Sequence, residues 1–145
     1  MPSLQTEVIV NAPIESVWRV LLRKDDWMYW NTYLYDCSFR VPFREGESVV
    51  LSLRRMDGDD PVEFAAKVRI LQPPFCLSWV AVAVGFRCRV TFDLEDMGMG
   101  CTKVRFQESF SGMFSRFVVR WVRGDELAGM RRMGRELKVF VERSR

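Results

Sequence analysis

Apolar residues recur at every second position through most of residues 33–112, and this pattern constrains the fold more than any other feature of the chain. The clearest case is 62–70, where Val62, Phe64, Ala66, Val68 and Ile70 share one face. Successive side chains of a strand point to opposite faces, so this period predicts strands with one apolar face. Turn signals at Pro, Gly and Asp residues separate them. The predicted strands are 34–41, 47–56, 62–70, 75–84, 87–95 and 102–110.

The two ends of the chain follow a helical period instead, apart from a first strand at 4–10. Residues 14–22 carry an apolar stripe at helical spacing, and Asp25–Asp26 is a candidate N-cap for a short second helix near 27–30. After residue 113 a second stripe runs to the end of the chain, where Gly124–Asp125 is either a kink or a new N-cap. The order predicts an α+β fold in which a curved seven-stranded antiparallel sheet wraps a long C-terminal helix, with two short helices between strands 1 and 2. We expect one domain over 1–145, with an apolar cavity between sheet and helix.

The chain has 145 residues and no histidine, which excludes Ser-His-Asp and Cys-His catalysis and imidazole-bound metals. The cysteines, Cys37, Cys76, Cys88 and Cys101, include no Cys-x-x-Cys pair, so we predict neither a metal site nor a cofactor. We expect them to be reduced, small buried hydrophobes. Residues MPSLQTEVIVNAP lack a basic segment followed by an apolar core, so we expect no signal peptide and a cytoplasmic protein.

Several local strings stand out in the chain: 8–18 (VIVNAPIESVW), 27–31 (WMYWN), 73–79 (PPFCLSW), 100–104 (GCTKV), and Leu137–Lys138 with Glu142. Together they resemble the Bet v1-like (START, or SRPBCC polyketide cyclase/dehydrase-like) superfamily. The resemblance covers essentially the whole chain and implies a helix-grip fold. It also implies a deep cavity for lipids, sterols, polyketides or other apolar molecules, in which some members catalyse cyclisation or dehydration. None of the strings is a catalytic motif, so no functional residue carries over.

Aromatic and methionine side chains on the predicted inner faces are the candidate walls of that cavity, because such side chains suit an apolar ligand with rings. The alternative, which we favour for any single residue, is that the side chain simply fills the core. The candidate ligand-binding residues are Trp30, Phe64, Phe92, Phe106, Phe110, Phe114, Phe117, Trp121 and Met133.

Glu108 is the first catalytic candidate, because it falls on the otherwise apolar face of strand 102–110. A carboxylate buried there needs a partner or a raised pKa, and it can act as a general acid or base. The alternative is a position at the strand's end, in water or beside an arginine. Tyr33 is the second candidate, as a hydrogen-bond donor to a ligand carbonyl, and packing is again the alternative.

Three functions remain open on these grounds. The first is binding of a hydrophobic small molecule, either lipid or polyketide-like. The second is a cyclase, dehydratase or isomerase without metal or cofactor, and the third is a protein-binding, co-chaperone-like module that would need an exposed apolar patch near 75–84.

The net charge of +3 is unevenly distributed, since residues 113–145 hold nine basic and four acidic residues. The row Arg116, Arg120 and Arg123 is either a solvated helix face or a peripheral membrane contact. We predict no nucleic-acid partner, because no recognition motif is present, and the sequence leaves the oligomeric state open.

Overall fold

The computed structural model describes residues 3–54, 62–83, 86–112 and 115–144, with side chains for 3–54, 62–82, 87–112 and 126–144. The strands are β1 (Ser3–Val10), β2 (Leu34–Asp36), β3 (Ser48–Leu53), β4 (Val62–Gln72), β5 (Cys76–Ala83), β6 (Phe86–Gly98) and β7 (Cys101–Ser111). The helices are α1 (Ile14–Leu22), a 3₁₀ helix (Lys24–Tyr29) and α2 (Ser115–Arg143). Within these ranges no helix combines the length and the apolar character that a membrane span requires.

The seven strands form one antiparallel sheet in the order β1-β7-β6-β5-β4-β3-β2. Consecutive strands from β2 to β7 are neighbours, and β1 joins the far edge by pairing with β7. The sheet curls into a half-barrel whose inner face packs on α2. The predicted α+β, helix-grip arrangement is therefore confirmed.

A row of buried rings forms the centre of the core on the inner face of the sheet. Phe43 stacks on Trp79 with ring centroids 5.7 Å apart, Trp79 meets Phe92 at 5.5 Å, and Phe92 meets Phe106 at 4.4 Å. The helix contributes a buried stripe at the spacing of successive turns. It consists of Glu126, Gly129, Met130, Met133, Leu137 and Val141.

The predicted strand 34–41 is much shorter than expected, because β2 ends at Asp36. A polar network takes over there. The buried Lys24 ammonium donates to Asp36 Oδ1 and to the Ser38 carbonyl, both at 2.7 Å, and the Ser38 N–H donates to Asp36 Oδ1 at 2.9 Å. The chain turns instead of continuing the ladder, and Phe39 is left 61% exposed. Side-chain bonds to the backbone commonly compete with strands in this way.

Two expectations about the helices need correction. The short second helix is a 3₁₀ helix that begins at Lys24, one residue before the proposed Asp25–Asp26 cap, and no side chain caps it. The helical backbone of α2 is continuous through Gly124 and Asp125, so no new N-cap begins there.

The cysteines are also less buried than expected. Cys37 is exposed, and Cys76, Cys88 and Cys101 are half-buried. None of these four, all of which have described side chains, takes part in a disulfide. Cys37 is exposed because it follows the early end of β2. Cys76 belongs to the outward face of the sheet, beside Asp93.

Candidate functional site

Two carboxyl groups and a phenol meet in the core between the sheet and α2. The Tyr33 hydroxyl lies 3.2 Å from Glu108 Oε1, and it also makes a short hydrogen bond with Glu126 Oε2. All three residues are buried, Tyr33 completely. We call Tyr33, Glu108 and Glu126 the acid cluster.

Three separate parts of the chain position these groups. Asn31 Oδ1 accepts hydrogen bonds from the backbone N–H groups of Tyr33 and Leu34, at 3.0 and 2.9 Å, which fixes the loop before β2. Glu108 lies on the inward face of β7, in register with Leu4 on one side and Val90 on the other. Its carboxylate therefore projects from an apolar surface.

The third part is α2, which supplies Glu126 and, one turn later, Gly129. A methyl group on Gly129 would overlap the Tyr33 ring, so the absence of a side chain there is what lets the ring lie against the helix. The ring also meets Phe106, with centroids 6.2 Å apart. Helix and sheet together hold the hydroxyl between the two carboxyls.

Burial raises the pKa of Tyr33 well above its ordinary value, and the negative charges of Glu108 and Glu126 and their hydrogen bonds raise it further. Each of these effects disfavours the phenolate. Tyr33 therefore keeps its proton at neutral pH and is a hydrogen-bond donor. Its hydroxyl has a single hydrogen and can donate to only one carboxylate at a time.

A cavity of about 220 Å³ lies between α2 and the edge of the sheet formed by β1, β7 and β6. Phe92, Phe106 and Met133, three of the predicted ligand-binding residues, line it together with Val104 and Leu137. Its rim is polar, with Thr6, Glu7, Arg131 and Arg135. Phe106 connects the cavity with the acid cluster, because it lines the first and packs against Tyr33.

The other predicted ligand-binding residues have different surroundings. Phe110 is buried in the core, and Phe64 is half-buried against it. Trp30 is 7% exposed, stacks on Phe140, and lines an open groove on the outside of α2. The side chains of Phe114, Phe117 and Trp121, and those of the arginine row Arg116, Arg120 and Arg123, lie outside the described residues.

Two polar residues that matter here were missed in the sequence. Glu126 precedes Met130 by four residues and Met133 by seven, so it shares their stripe, and extending the stripe by one turn would have found it. Lys24 gave no signal, because a lysine between two helices is normally solvated.

Lys24 also stabilises the ionised form of its partner Asp36. Burial by itself raises the pKa of Asp36, but the Lys24 hydrogen bond and charge, with the Ser38 N–H, outweigh it and bring the pKa below its ordinary value. The pair anchors the segment after β2 rather than lining the cavity. Among the described residues, no three acidic or cysteine side chains converge as metal ligands.

Comparisons with known proteins place this geometry in a family. The model of the family described as "Polyketide cyclase / dehydrase and lipid transport" matches residues 1–138. A search of curated protein sequences gave no significant match.

Solved structures agree on the fold. Protein CV1439 from Chromobacterium violaceum superposes with a TM-score of 0.75 at 14% identity, covering 98% of this chain and 99% of that one. Protein Ms6760 from Mycobacterium smegmatis gives 0.76 at 12% identity, covering 99% and 92%. The di-domain ARO/CYC BexL from the BE-7585A biosynthetic pathway gives 0.69 at 13% identity, covering 94% of this chain and 46% of BexL. With a half-barrel sheet closed on a long helix and a family match over 1–138, this chain belongs to the polyketide cyclase/dehydrase and lipid transport family, of the SRPBCC type.

Proposed function

We propose that this protein binds a hydrophobic, ring-bearing small molecule between the sheet and α2. The observation that supports this most directly is the cavity walled by Phe92, Phe106 and Met133. Aromatic walls provide flat apolar contact area, and methionine adapts to the ligand's outline. Ligand cavities usually hold about 300–1,000 Å³, so 220 Å³ suits a compact ligand of one or two rings.

The acid cluster is the polar end that we propose for this ligand. Its three residues do not line the cavity in this structure, so the ligand reaches them by displacing the Phe106 ring, which lines the cavity and contacts Tyr33. A protonated phenol donates to a carbonyl or hydroxyl oxygen, whereas a carboxylate accepts from a hydroxyl. An apolar ring system carrying oxygen substituents therefore fits the site better than a pure hydrocarbon.

The test uses one residue from each face of β1. Thr6 lines the cavity mouth and is in register with Phe106, whereas Gln5 points outward and is exposed. Native mass spectrometry of the protein purified from its own source should find a bound compound in the wild type and in Gln5→Phe. Thr6→Phe, which fills the mouth, should lack it. Equal loading of both variants, or an empty wild-type protein, would contradict the proposal.

A second candidate is a cyclase, dehydratase or isomerase, and the acid cluster is the observation that favours it. In a cyclisation, one carboxylate removes a proton from the carbon beside a carbonyl. The resulting enolate attacks a second carbonyl carbon and forms a C–C bond, and Tyr33 donates its proton to the new alkoxide. The carboxyl that took the first proton then returns one to Tyr33. Elimination of the new hydroxyl as water completes a dehydration, and no external reactant is consumed.

The two candidate functions predict different fates for the compound that mass spectrometry identifies. An enzyme converts the compound or its precursor, and both Glu108→Gln and Tyr33→Phe reduce kcat by about 10²-fold or more. A pure binding protein releases the compound unchanged, and the same variants alter only its Kd. A turnover rate that neither variant changes would remove the acid cluster from the chemistry.

A protein-binding role draws little support from segment 75–84. Phe75 and Val82 are 55% and 70% exposed, but Leu77, Trp79 and Val80 between them are buried, and Cys76 and Ala81 are half-buried. The side chains of residues 83 and 84 lie outside the described part of the chain. The two exposed side chains therefore do not make a continuous apolar patch, which such a role would require.

A further inference from the structure

An open groove of about 640 Å³ lies between the end of the 3₁₀ helix and the C-terminal half of α2. Its apolar surface comes from Trp30 and Phe140, whose stacked rings have centroids 6.2 Å apart, and from Val139. This groove is separate from the cavity described above and shares only Arg135 with it.

The exposed side of α2 beside this groove is strongly basic. Arg131, Arg135 and Arg143 are all exposed, and the last two line the groove. In the part of the chain with described side chains, these three arginines form no ion pair. The acidic neighbour in the groove, Glu136, instead accepts hydrogen bonds from the N–H and the hydroxyl of Thr32, at 3.0 and 2.7 Å. The rim therefore carries a net positive charge.

Large apolar side chains are exposed in and near the groove. Tyr29, which lines it, is 71% exposed, and Val139 between the groove arginines is 45% exposed. Met28, the chain neighbour of Tyr29 in the 3₁₀ helix, is 68% exposed. Tyrosine is enriched where proteins meet the membrane–water interface, since its ring is apolar and its hydroxyl polar. Arginines beside such residues attract anionic headgroups.

We propose that this surface, formed by Met28, Tyr29, Arg131, Arg135, Val139 and Arg143, docks on a bilayer containing anionic phospholipids. The first and last of the three arginines are twelve positions apart along α2, or about 18 Å. A single small anion would contact one or two of them, whereas a charged membrane surface engages all three. The protruding Met28 and Tyr29 then enter the headgroup region. This contact does not depend on a ligand in the cavity, and it lies on a different part of α2 from the predicted Arg116–Arg123 row.

The test is co-sedimentation of the full chain with vesicles of phosphatidylcholine alone and with vesicles that also contain phosphatidylglycerol. We expect binding to the second kind only, weakening as salt screens the headgroup charge. Failure of the wild-type protein to bind anionic vesicles at low salt would overturn the proposal, whatever the variants do.

A matched pair of double variants tests the location. Arg135→Glu with Arg143→Glu should lower the vesicle partition coefficient by at least ~30-fold, because each basic residue near an anionic surface contributes about fivefold. Arg87→Glu with Arg89→Glu makes the same charge change on the exposed face of β6 and should leave binding nearly unchanged. Equal losses in both would indicate general charge attraction and refute this surface.

A third variant tests the apolar contribution. Met28→Ser with Tyr29→Ser should weaken vesicle binding severalfold without changing its salt dependence, since no charge is removed. Both residues are exposed, so the variant should unfold at the wild-type temperature. Unchanged vesicle binding by this variant would contradict insertion. If a protein bound only to the Arg87 and Arg89 face displaced the chain from vesicles, the membrane would contact that face instead. That result would also contradict the proposed surface.

Discussion

Gly129→Ala tests the positioning of Tyr33, because two effects of opposite sign act on this one substitution. In a helix interior alanine is favoured over glycine by about 1 kcal/mol. At Gly129 the added methyl group would overlap the Tyr33 ring. The ring cannot move away freely, because its hydroxyl contacts Glu108 and Glu126 and the ring itself packs against Phe106.

Forcing a methyl group into a packed core costs about 1–3 kcal/mol. We expect a cost near the upper end of that range at Gly129, because its neighbour, the Tyr33 ring, is held in place. The net expectation is a loss of roughly 1–2 kcal/mol in the free energy of unfolding. For a chain of this size that corresponds to a fall in Tm of about 3–8 °C. Urea denaturation with constant m-value measures the same difference at 25 °C.

Gly134→Ala, one and a half turns along the same helix, is the matched control. A methyl group there would meet Val8 at 3.6 Å, an ordinary van der Waals contact. Only the helix-propensity gain remains, so we expect stabilisation of up to about 1 kcal/mol. In a Tyr33→Ala background the cost of Gly129→Ala should vanish, giving a coupling energy of ~2 kcal/mol or more. Equal shifts for the two glycines, or no coupling to Tyr33, would refute the proposed packing.

Three further predictions concern the polar groups. Tyr33→Phe removes the hydroxyl between two buried carboxyls and should lower the free energy of unfolding by about 1–3 kcal/mol, whereas Tyr29→Phe, at an exposed site, should change nothing measurable in urea denaturation. Lys24→Met leaves Asp36 buried without its cation and should cost ~3–5 kcal/mol near pH 7. The pKa of Asp36 is lower in the folded protein than in the unfolded chain. The stabilisation by Lys24 is therefore fully present at pH values above the unfolded-state pKa, and it is lost as the pH falls through the folded-state pKa. The free energies of unfolding of wild type and Lys24→Met should converge only in acid. Burial raises the pKa of Cys76 to about 11, with further contributions from the charge and the hydrogen bond of Asp93. At pH 8 iodoacetamide should therefore label exposed Cys37 well before Cys76. Asp93→Asn should accelerate the labelling of Cys76.

The sheet could be predicted from sequence wherever one face of a strand is buried along its whole length. In β7 the residues Thr102, Val104, Phe106, Glu108 and Phe110 are all buried, and those between them are all half-buried. An apolar residue at every second position indicates such a buried face directly. A shift of the strand register by one residue would move every apolar side chain to the solvent face. The same reasoning failed after Asp36, where local hydrogen bonds to Lys24 outweighed the alternating pattern.

The site was only half predictable for a related reason. Periodicity identifies which way Glu108 points, but not which residues face it from other elements. Its neighbours in the acid cluster lie 75 residues earlier and 18 residues later in the chain. The apolar stripe of α2 indicates that Glu126 faces the core, but its meeting with Tyr33 depends on the close approach at Gly129, which leaves no local signal.

Stability alone does not account for an acid cluster at this position. Two carboxyl groups in a core lose hydration that hydrogen bonds and nearby charges only partly restore, and apolar side chains of similar volume commonly serve the fold as well or better. Leu4 and Val90, the register neighbours of Glu108, are apolar, and the rings of Phe106 and Phe110 lie on the same face. A leucine at position 108 would therefore satisfy every local rule that the rest of β7 obeys. Positions where a chain departs from such rules are typically functional ones, and here the departure brings a protonated phenol and two carboxyls together behind the wall of an apolar cavity.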